Sequence, residues 1–358
     1  MKKKIAVLAG DGIGPEVMQE TLRLLDVVAK KFHHHFDYVE GAIGGYAYDI
    51  SGSHCPEKTL QICQTMDAIL FGSVGGPVTE QHQPKWHQCE VNSILKLRKH
   101  LNLNINIRPI TVHAQLASHC PLKPETISHG IDMLIFRELT GGIYFGRHER
   151  STKNHQRTAL DECVYEENQI RKIAEAAFKS AVTRRKKLCS VDKANVLSTS
   201  QLWRDIVNEV AKDYPDVTLT HMLVDNCAMQ LIINPHQFDV IVTENMFGDI
   251  LSDLAAALPG SLGMVPSASL NDEGLGLYEP SGGSAPDIAG RGIANPCAQI
   301  LSAAMMLRHS FDMHEEANII ENAVKTTLLQ GIVTPDLSQK NTKTVGTKAF
   351  VDAVIAHI

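Results

Sequence analysis

The chain has 358 residues, and 34 Lys and Arg against 40 Asp and Glu give a formal charge of −6 at pH 7. That balance excludes a strongly basic nucleic-acid binder. The length and a 44% hydrophobic composition suit about two domains with sizeable cores and exclude disordered and fibrous classes.

In chain order, Lys2 to Lys4 precede only a short apolar run, Ile5 to Ala9, before Gly10 and Asp11 interrupt it. This start reads as a buried strand over about 4–9 rather than a signal peptide. Further strands are expected over about 66–72, 101–107, 131–136, 188–191, 217–224 and 238–243, several of them continuous apolar runs covered on both faces. Amphipathic helices lie between. In the helix after Ile170, residues Ile170, Ile173, Ala174, Ala177, Phe178, Ala181 and Val182 share one face, and Arg184 to Lys187 close it with a solvated basic end. This rhythm predicts α/β architecture. Leu101, Leu103, Ile105 and Ile107 alternate with Asn102, Asn104 and Asn106, a strand with one polar face that Arg108-Pro109 is expected to end. A helix is expected to open at Gly248, and Pro259-Gly260 begins a Gly/Pro/Ser-rich stretch to about 296, read as a long functional loop. Leaving one domain near 105 and returning near 259 predicts a discontinuous domain, 1–104 with 260–358, around a second, 105–259.

The longest apolar stretches, Ile69 to Val74 and Leu254 to Leu258, fall short of the roughly 20 residues of a membrane helix. The 8 cysteines include no C-x-x-C pair, which suits a reducing cytoplasm. His33 to His35 read as exposed surface, because three adjacent side chains do not face one ligand point.

Ligands of open α/β sheets sit beyond the carboxyl ends of strands, and charged residues collect there: Arg137-Glu138, Asp192-Lys193, Asp225 and Glu244-Asn245. With Arg98 and Arg108 they describe a site of three arginines, several carboxylates and one lysine. Guanidinium forks bind carboxylates in bidentate fashion, so three arginines near a metal suit a small dicarboxylate. Asp249 and Asp253, one helical turn apart, could share a hard cation such as Mg²⁺ or Mn²⁺. Alone, the pair reads better as a solvated face near a helix N-terminus; Asp225 as a third ligand tips the reading to metal. Lys193 is an ordinary surface amine or, if buried beside other cations, a general base. The turn Gly10-Asp11-Gly12-Ile13-Gly14-Pro15-Glu16 lacks a Walker lysine, and Val17 stands where G-x-G-x-x-G needs its third glycine, so an ordinary Rossmann site is disfavoured. Gly72 to Gly76 and Gly282 to Asn295, with Asp287, offer backbone donors to a cofactor.

Seven ordered motifs carry a family resemblance: GDGIGPE at 10–16, LRK at 97–99 with NIRP at 106–109, RELTGGIYFG at 137–146, DKANVL at 192–197, VDNCAMQL at 224–231, NMFGDILSD at 245–253 and EPSGGSAPDIAGRGIANP at 279–296. Over essentially its whole length the chain resembles the β-decarboxylating dehydrogenases, the isocitrate/isopropylmalate dehydrogenase family, and most closely the isopropylmalate branch. The resemblance implies a two-domain α/β fold without the usual Rossmann topology, and a homodimer whose active sites each draw on both copies. It implies NAD-dependent oxidative decarboxylation of 3-isopropylmalate in leucine biosynthesis, with Mg²⁺ or Mn²⁺. Arg98, Arg108 and Arg137 would bind the malate carboxylates, and Asp249, Asp253 and the partner's Asp225 would hold the cation. Tyr144 and the partner's Lys193 would be acid and base. Asn195 and Val196 would line the nicotinamide and the substrate side chain, and Glu90 would approach the nicotinamide. Gly283, Ser284, Ala285, Asp287, Ile288 and Asn295 would hold adenosine.

Asp287 favours NAD, since a carboxylate accepts from a ribose 2′-hydroxyl and repels a 2′-phosphate. Ile94, one turn before Arg98, predicts an apolar pocket that prefers isopropyl to carboxymethyl. Leu95 stands where homoisocitrate relatives carry an extra arginine, and Asn92-Ser93 replaces the usual glycine-and-small pair, giving a more polar rim. The alternatives are another 3-substituted malate (homoisocitrate, isocitrate or tartrate), a metal-dependent lyase or aldolase using Lys193 as a Schiff base, and a retired binding protein. Asp225, Asp249, Asp253, Tyr144 and Lys193, all retained, oppose the last.

Overall fold

The computed structural model describes residues 1–339 and 343–358, except the side chains of 114–116 and 153. The first 103 residues form β1 (Lys2–Gly10), α1 (Gly14–Lys31), β2 (His35–Glu40), α2 (Gly44–Ser51), α3 (Glu57–Gln64), β3 (Ala68–Ser73) and α4 (Lys96–His100). There follow β4 (Ile105–Val112), β5 (Ile131–Glu138), β6 (His148–Lys153), β7 (Gln156–Asp161), α5 (Glu167–Val182), β8 (Lys187–Asp192), α6 (Ser198–Ala211), β9 (Thr218–Leu223), α7 (Val224–Ile233), β10 (Val240–Thr243) and α8 (Asn245–Ala256). The rest carries β11 (Pro266–Leu270), β12 (Gly276–Pro280), α9 (Cys297–His309), α10 (His314–Leu329) and α11 (Thr347–Ile355). Two compact units result. The first is Met1–Leu103 with Gln115–Pro121 and Ala256–Ile358; the second is Asn104–Ala114 with Leu122–Ala255.

In the first unit β1 pairs in parallel with β2 and β3, β3 in parallel with β12, and β12 antiparallel with β11. The antiparallel β11 and the late strand beside β3 depart from the Rossmann order. Every residue of β3 is buried, as its uninterrupted apolar run requires. Helix α9, buried over Cys297 to Leu307 apart from Leu301, packs on β11 and β12. In the second unit β4 is antiparallel to β5, and β5, β10, β8 and β9 run parallel in that order. Helix α5 opens with a reciprocal capping box between Glu166 and Gln169 and packs on α6 and β10. Burying Phe178 on that face stabilises by roughly 1.5–3 kcal/mol.

The structure departs from the sequence reading at four places. Leu101 and Leu103 are not in a strand: α4 runs to His100, Asn102 turns the chain at φ 51°, and both leucines drop into the core. The strand instead starts at Ile105 and continues through Pro109. Pro109 lies opposite Leu134, whose N–H donates away from it to Asp239 O at 3.0 Å, so this edge needs no donor from the proline. Helix α8 begins at Asn245 rather than Gly248, which puts Asp249 beyond the first turn. The expected loop to 296 contains β11 and β12. The basic end of α5 is not simply solvated: Arg184 Nε and the Arg185 N–H each donate to the fully buried Asp239 carboxylate at 2.8 Å. Among the described residues no helix is long and apolar enough to cross a membrane, and all 8 cysteines are free.

Candidate active site

The carboxyl ends of the adjacent strands β5 and β10 deliver Arg137 and the start of α8. A Cβ on Gly248 would lie 2.6 Å from Arg137 Cγ, so the glycine lets the arginine stem cross the helix. Arg137, 3% exposed, donates from Nε and Nη2 to Asn245 Oδ1 at 3.1 and 2.8 Å, and from Nη1 to Asp249 Oδ1. Asn245 is held in turn by Gly141 O at 3.2 Å and by the buried Tyr165 hydroxyl at 2.8 Å. Arg108 donates to Ser252 Oγ at 2.6 Å, Asp253 Oδ1 at 2.9 Å and Asn106 Oδ1 at 3.1 Å. Tyr144 O–H donates to Asp249 Oδ2 at 3.1 Å. Burial first, then the Asp249 charge, pushes the phenol pKa above its ordinary value, so Tyr144 keeps its proton at neutral pH. Two guanidinium groups, a phenol and two carboxylates one turn apart thus meet in the second unit.

Lys193 and Asp225 form a separate pair at 2.5 Å, with side chains 28% and 64% exposed. The hydrogen bond from Lys193 holds the Asp225 carboxyl below the usual range. The neighbour of Lys193 is therefore a carboxylate, not the cations that the sequence reading invoked. Among the described residues no three His, Cys, Asp or Glu side chains are placed to share a cation, so Asp225 does not join Asp249 and Asp253 within one chain. Asn195 and Val196 sit exposed in the turn after β8, where Asp192 accepts from Ala194 N at 2.9 Å and from Arg204. Asp249 and Asp253, 36% and 60% exposed as side chains, offer oxygen ligands only, a donor set that fits Mg²⁺ or Mn²⁺.

The other expected residues lie in the first unit. Arg98 Nη2 donates to Glu279 Oε1 at 2.7 Å, both side chains buried, while Arg98 Nε is buried with no partner. Ile94, 8% exposed, packs into a core cluster with Ile43, Cys55 and Leu97 from a π-helical turn over Val91–Leu95. Glu90 is exposed and closes on Gly75, where a Cβ would meet Glu90 Oε1 at 2.5 Å. The Gly10–Glu16 turn leaves no phosphate cradle: a Cβ on Gly12 would lie 1.9 Å from Ser284 O. A Cβ on Gly283 would meet nothing within 4 Å, and Asp287 is exposed. Ser284 is buried, Ala285 adopts φ 40°, and Ile288 N donates to Ala285 O at 3.1 Å. Asn295 caps α9 by accepting from Cys297 N at 2.9 Å and ties to Asp336.

Three residues escaped the sequence reading in these roles: Asp11, Glu16 and Glu244. Asp11 accepts from Gly45 N and Tyr46 N in the first turn of α2 at 2.8 Å and from Gly75 N at 3.0 Å, tying its own turn to the start of α2 and to the loop after β3. Glu244 is 4% exposed, and its Oε2 has no partner. Glu138, fully buried nearby, takes donors from Thr140 and Gly141, and Asp192 takes Arg204. Burial, then the charges of Glu138 and Asp192, raises Glu244 to about 7. Its folded pKa exceeds the unfolded one, so its stabilising effect is present below about pH 4.5 and is lost as pH rises to about 7. Glu244→Gln is expected to stabilise the protein at pH 8 by roughly 2–3 kcal/mol, and by much less at pH 5. Urea unfolding at both pH values checks this; an equal change at both would exclude ionisation as the cause.

Parallel-stranded units with arginines, a phenol and paired carboxylates at strand carboxyl ends define an α/β enzyme of anionic substrates. The chain belongs to the isocitrate/isopropylmalate dehydrogenase family, whose profile matches residues 4–354, and is an oxidative decarboxylating dehydrogenase. Its relatives include the 3-isopropylmalate dehydrogenase of Haemophilus influenzae, 54% identical with 94% of each chain covered. That of Halalkalibacterium halodurans is 51% identical over 100% of this chain and 98% of its own. Among solved structures, isocitrate dehydrogenase from Methylococcus capsulatus superimposes with a TM-score of 0.87 at 33% identity, covering 99% of both chains. A β-decarboxylating dehydrogenase from Thermococcus kodakarensis gives 0.78 at 35% identity, covering 99% of this chain and 96% of its own.

Proposed function

We propose that the protein converts (2R,3S)-3-isopropylmalate to 4-methyl-2-oxopentanoate and CO₂ with NAD, as a cytoplasmic homodimer in leucine biosynthesis. The observation that carries this reading is the convergence of Arg108, Arg137 and Tyr144 on Asp249. The names of relatives above 50% identity supply the substrate.

Arg108 and Arg137 bind carboxylate oxygens through guanidinium forks, and Arg98, with its unpartnered Nε, is a candidate for the same task. Asp249, Asp253 and the partner's Asp225 would hold Mg²⁺ or Mn²⁺, which would supply Lewis acidity at the 2-hydroxyl, and NAD would supply the acceptor for the C2 hydride. The partner's Lys193 accepts the hydroxyl proton. After the C3 carboxylate leaves as CO₂, Tyr144 returns a proton to C3, and its elevated pKa keeps that proton available. Glu90, Asn195 and Val196 are assigned to the nicotinamide side, Ile94 and Val196 to the isopropyl group, and Gly283, Ser284, Ala285, Asp287, Ile288 and Asn295 to adenosine.

The homodimer is supported by apolar residues left in water: Met229 and Ile233 on α7, and Ile250 on α8. The β6–β7 ribbon, with β7 exposed throughout, is marginal unless covered. NADH absorbance with 3-alkylmalates, isocitrate, homoisocitrate and tartrate, with and without Mg²⁺ or Mn²⁺, tests the reading. It predicts the highest kcat/KM for 3-isopropylmalate and none without the cation; faster isocitrate turnover would overturn it.

A further inference from the structure

We infer that Glu16 is a positioning residue for dinucleotide selection, because its carboxylate and the Ile13 N–H clamp the two ends of the turn that carries Asp287. This rests on the reading that 283–295 holds the adenosine of NAD.

Glu16 Oε2 accepts from Gly290 N at 3.1 Å and Gly292 N at 3.4 Å, and Oε1 accepts from Ala294 N at 3.1 Å. Three N–H groups of alternate residues thus turn inward on one carboxylate. Such a wrap needs left-handed backbone, and Gly290 and Gly292 adopt φ 71° and 65°. At the other end Ile13 N donates to Ser284 O at 2.8 Å. Residues 285–289, with Asp287 at their centre, span the gap between these two anchors. Ile13 immediately precedes α1 and Glu16 lies in its first turn, so the Gly10–Glu16 motif, which lacks a phosphate cradle, serves the nucleotide by holding another loop. Thr347 extends the clamp: its N–H donates to Gly292 O at 2.9 Å and its hydroxyl to Ala294 O at 2.7 Å.

Losing a carboxylate that gathers three backbone donors should free the 290–294 arm and let Asp287 drift from the ribose. For Glu16→Ala, NADH affinity measured by titration calorimetry is expected to fall about 10–100-fold. The NAD over NADP preference in kcat/KM should shrink about 10-fold, with KM for 3-isopropylmalate changed less than about 2-fold. Glu16→Gln, which keeps one accepting oxygen, should lie between, and it carries the test if the alanine variant fails to fold. Hydrogen exchange over 285–295 with NADH supplies the second readout: strong protection in the wild-type protein, weakened in both variants. Unprotected wild-type residues would overturn the adenosine reading and the inference together. A protected loop with unaltered NADH affinity and NAD preference in both variants would overturn the inference alone.

Discussion

Lys193→Met is expected to lower kcat by about 10²–10⁴-fold, the usual contribution of a positioned general base. Methionine matches the length of the lysine stem and removes only the amine. Within the chain that amine pairs with Asp225, whose carboxylate is 64% exposed. Pairs of this kind contribute about 0–1 kcal/mol, so the melting temperature should barely move. The Asp225 carboxyl, held low by Lys193, should return toward the ordinary carboxylate range. Steady-state rates with 3-isopropylmalate, beside thermal unfolding and sedimentation, check all three points. A folded dimer with more than about a tenth of the wild-type kcat would remove Lys193 from the role of base.

Much of this site could be read from residue order, and the reason is geometric. Parallel strands present their carboxyl ends to ligands, and the apolar runs ending at Phe136, Val191 and Thr243 announce where those ends fall. Arg137, Asp192-Lys193 and Glu244-Asn245 follow directly, so their position in the chain is also their position in the fold. Asp249 and Asp253 obey the same logic through the helical repeat. Elements set by local exceptions were harder to see. Pro109 stays in β4 only because Leu134 turns its donor toward Asp239, and the β6–β7 turn uses Asn154 and His155 at positive φ rather than an Asn-Gly pair. Glu16 was opaque for a different reason: its partners are backbone N–H groups some 270 positions away, and no side-chain pattern marks them. Glu244 owes its raised pKa first to burial and then to the charges of Glu138 and Asp192 on neighbouring strands, a proximity that strand order alone discloses.

Asp225→Asn and Asp253→Asn are each expected to abolish turnover, falling at least about 10²-fold, because each removes one charged oxygen ligand from every site in a homodimer. Neither should unfold the chain, since both carboxylates are largely exposed. Their mixture is more informative than either alone. In one chain Asp225 does not join Asp249 and Asp253, whereas a site built from two copies takes Asp253 from one and Asp225 from the other. When the two inactive variants exchange subunits, a hybrid dimer should contain one site with all its aspartates intact and one with two asparagines. Statistical exchange makes about half of the dimers hybrid, so activity should recover to about a quarter of wild type. The decisive measurement is NADH formation by the exchanged mixture: recovery near that level is the predicted result, and activity remaining at that of the separate variants after verified exchange would contradict a site shared between two copies.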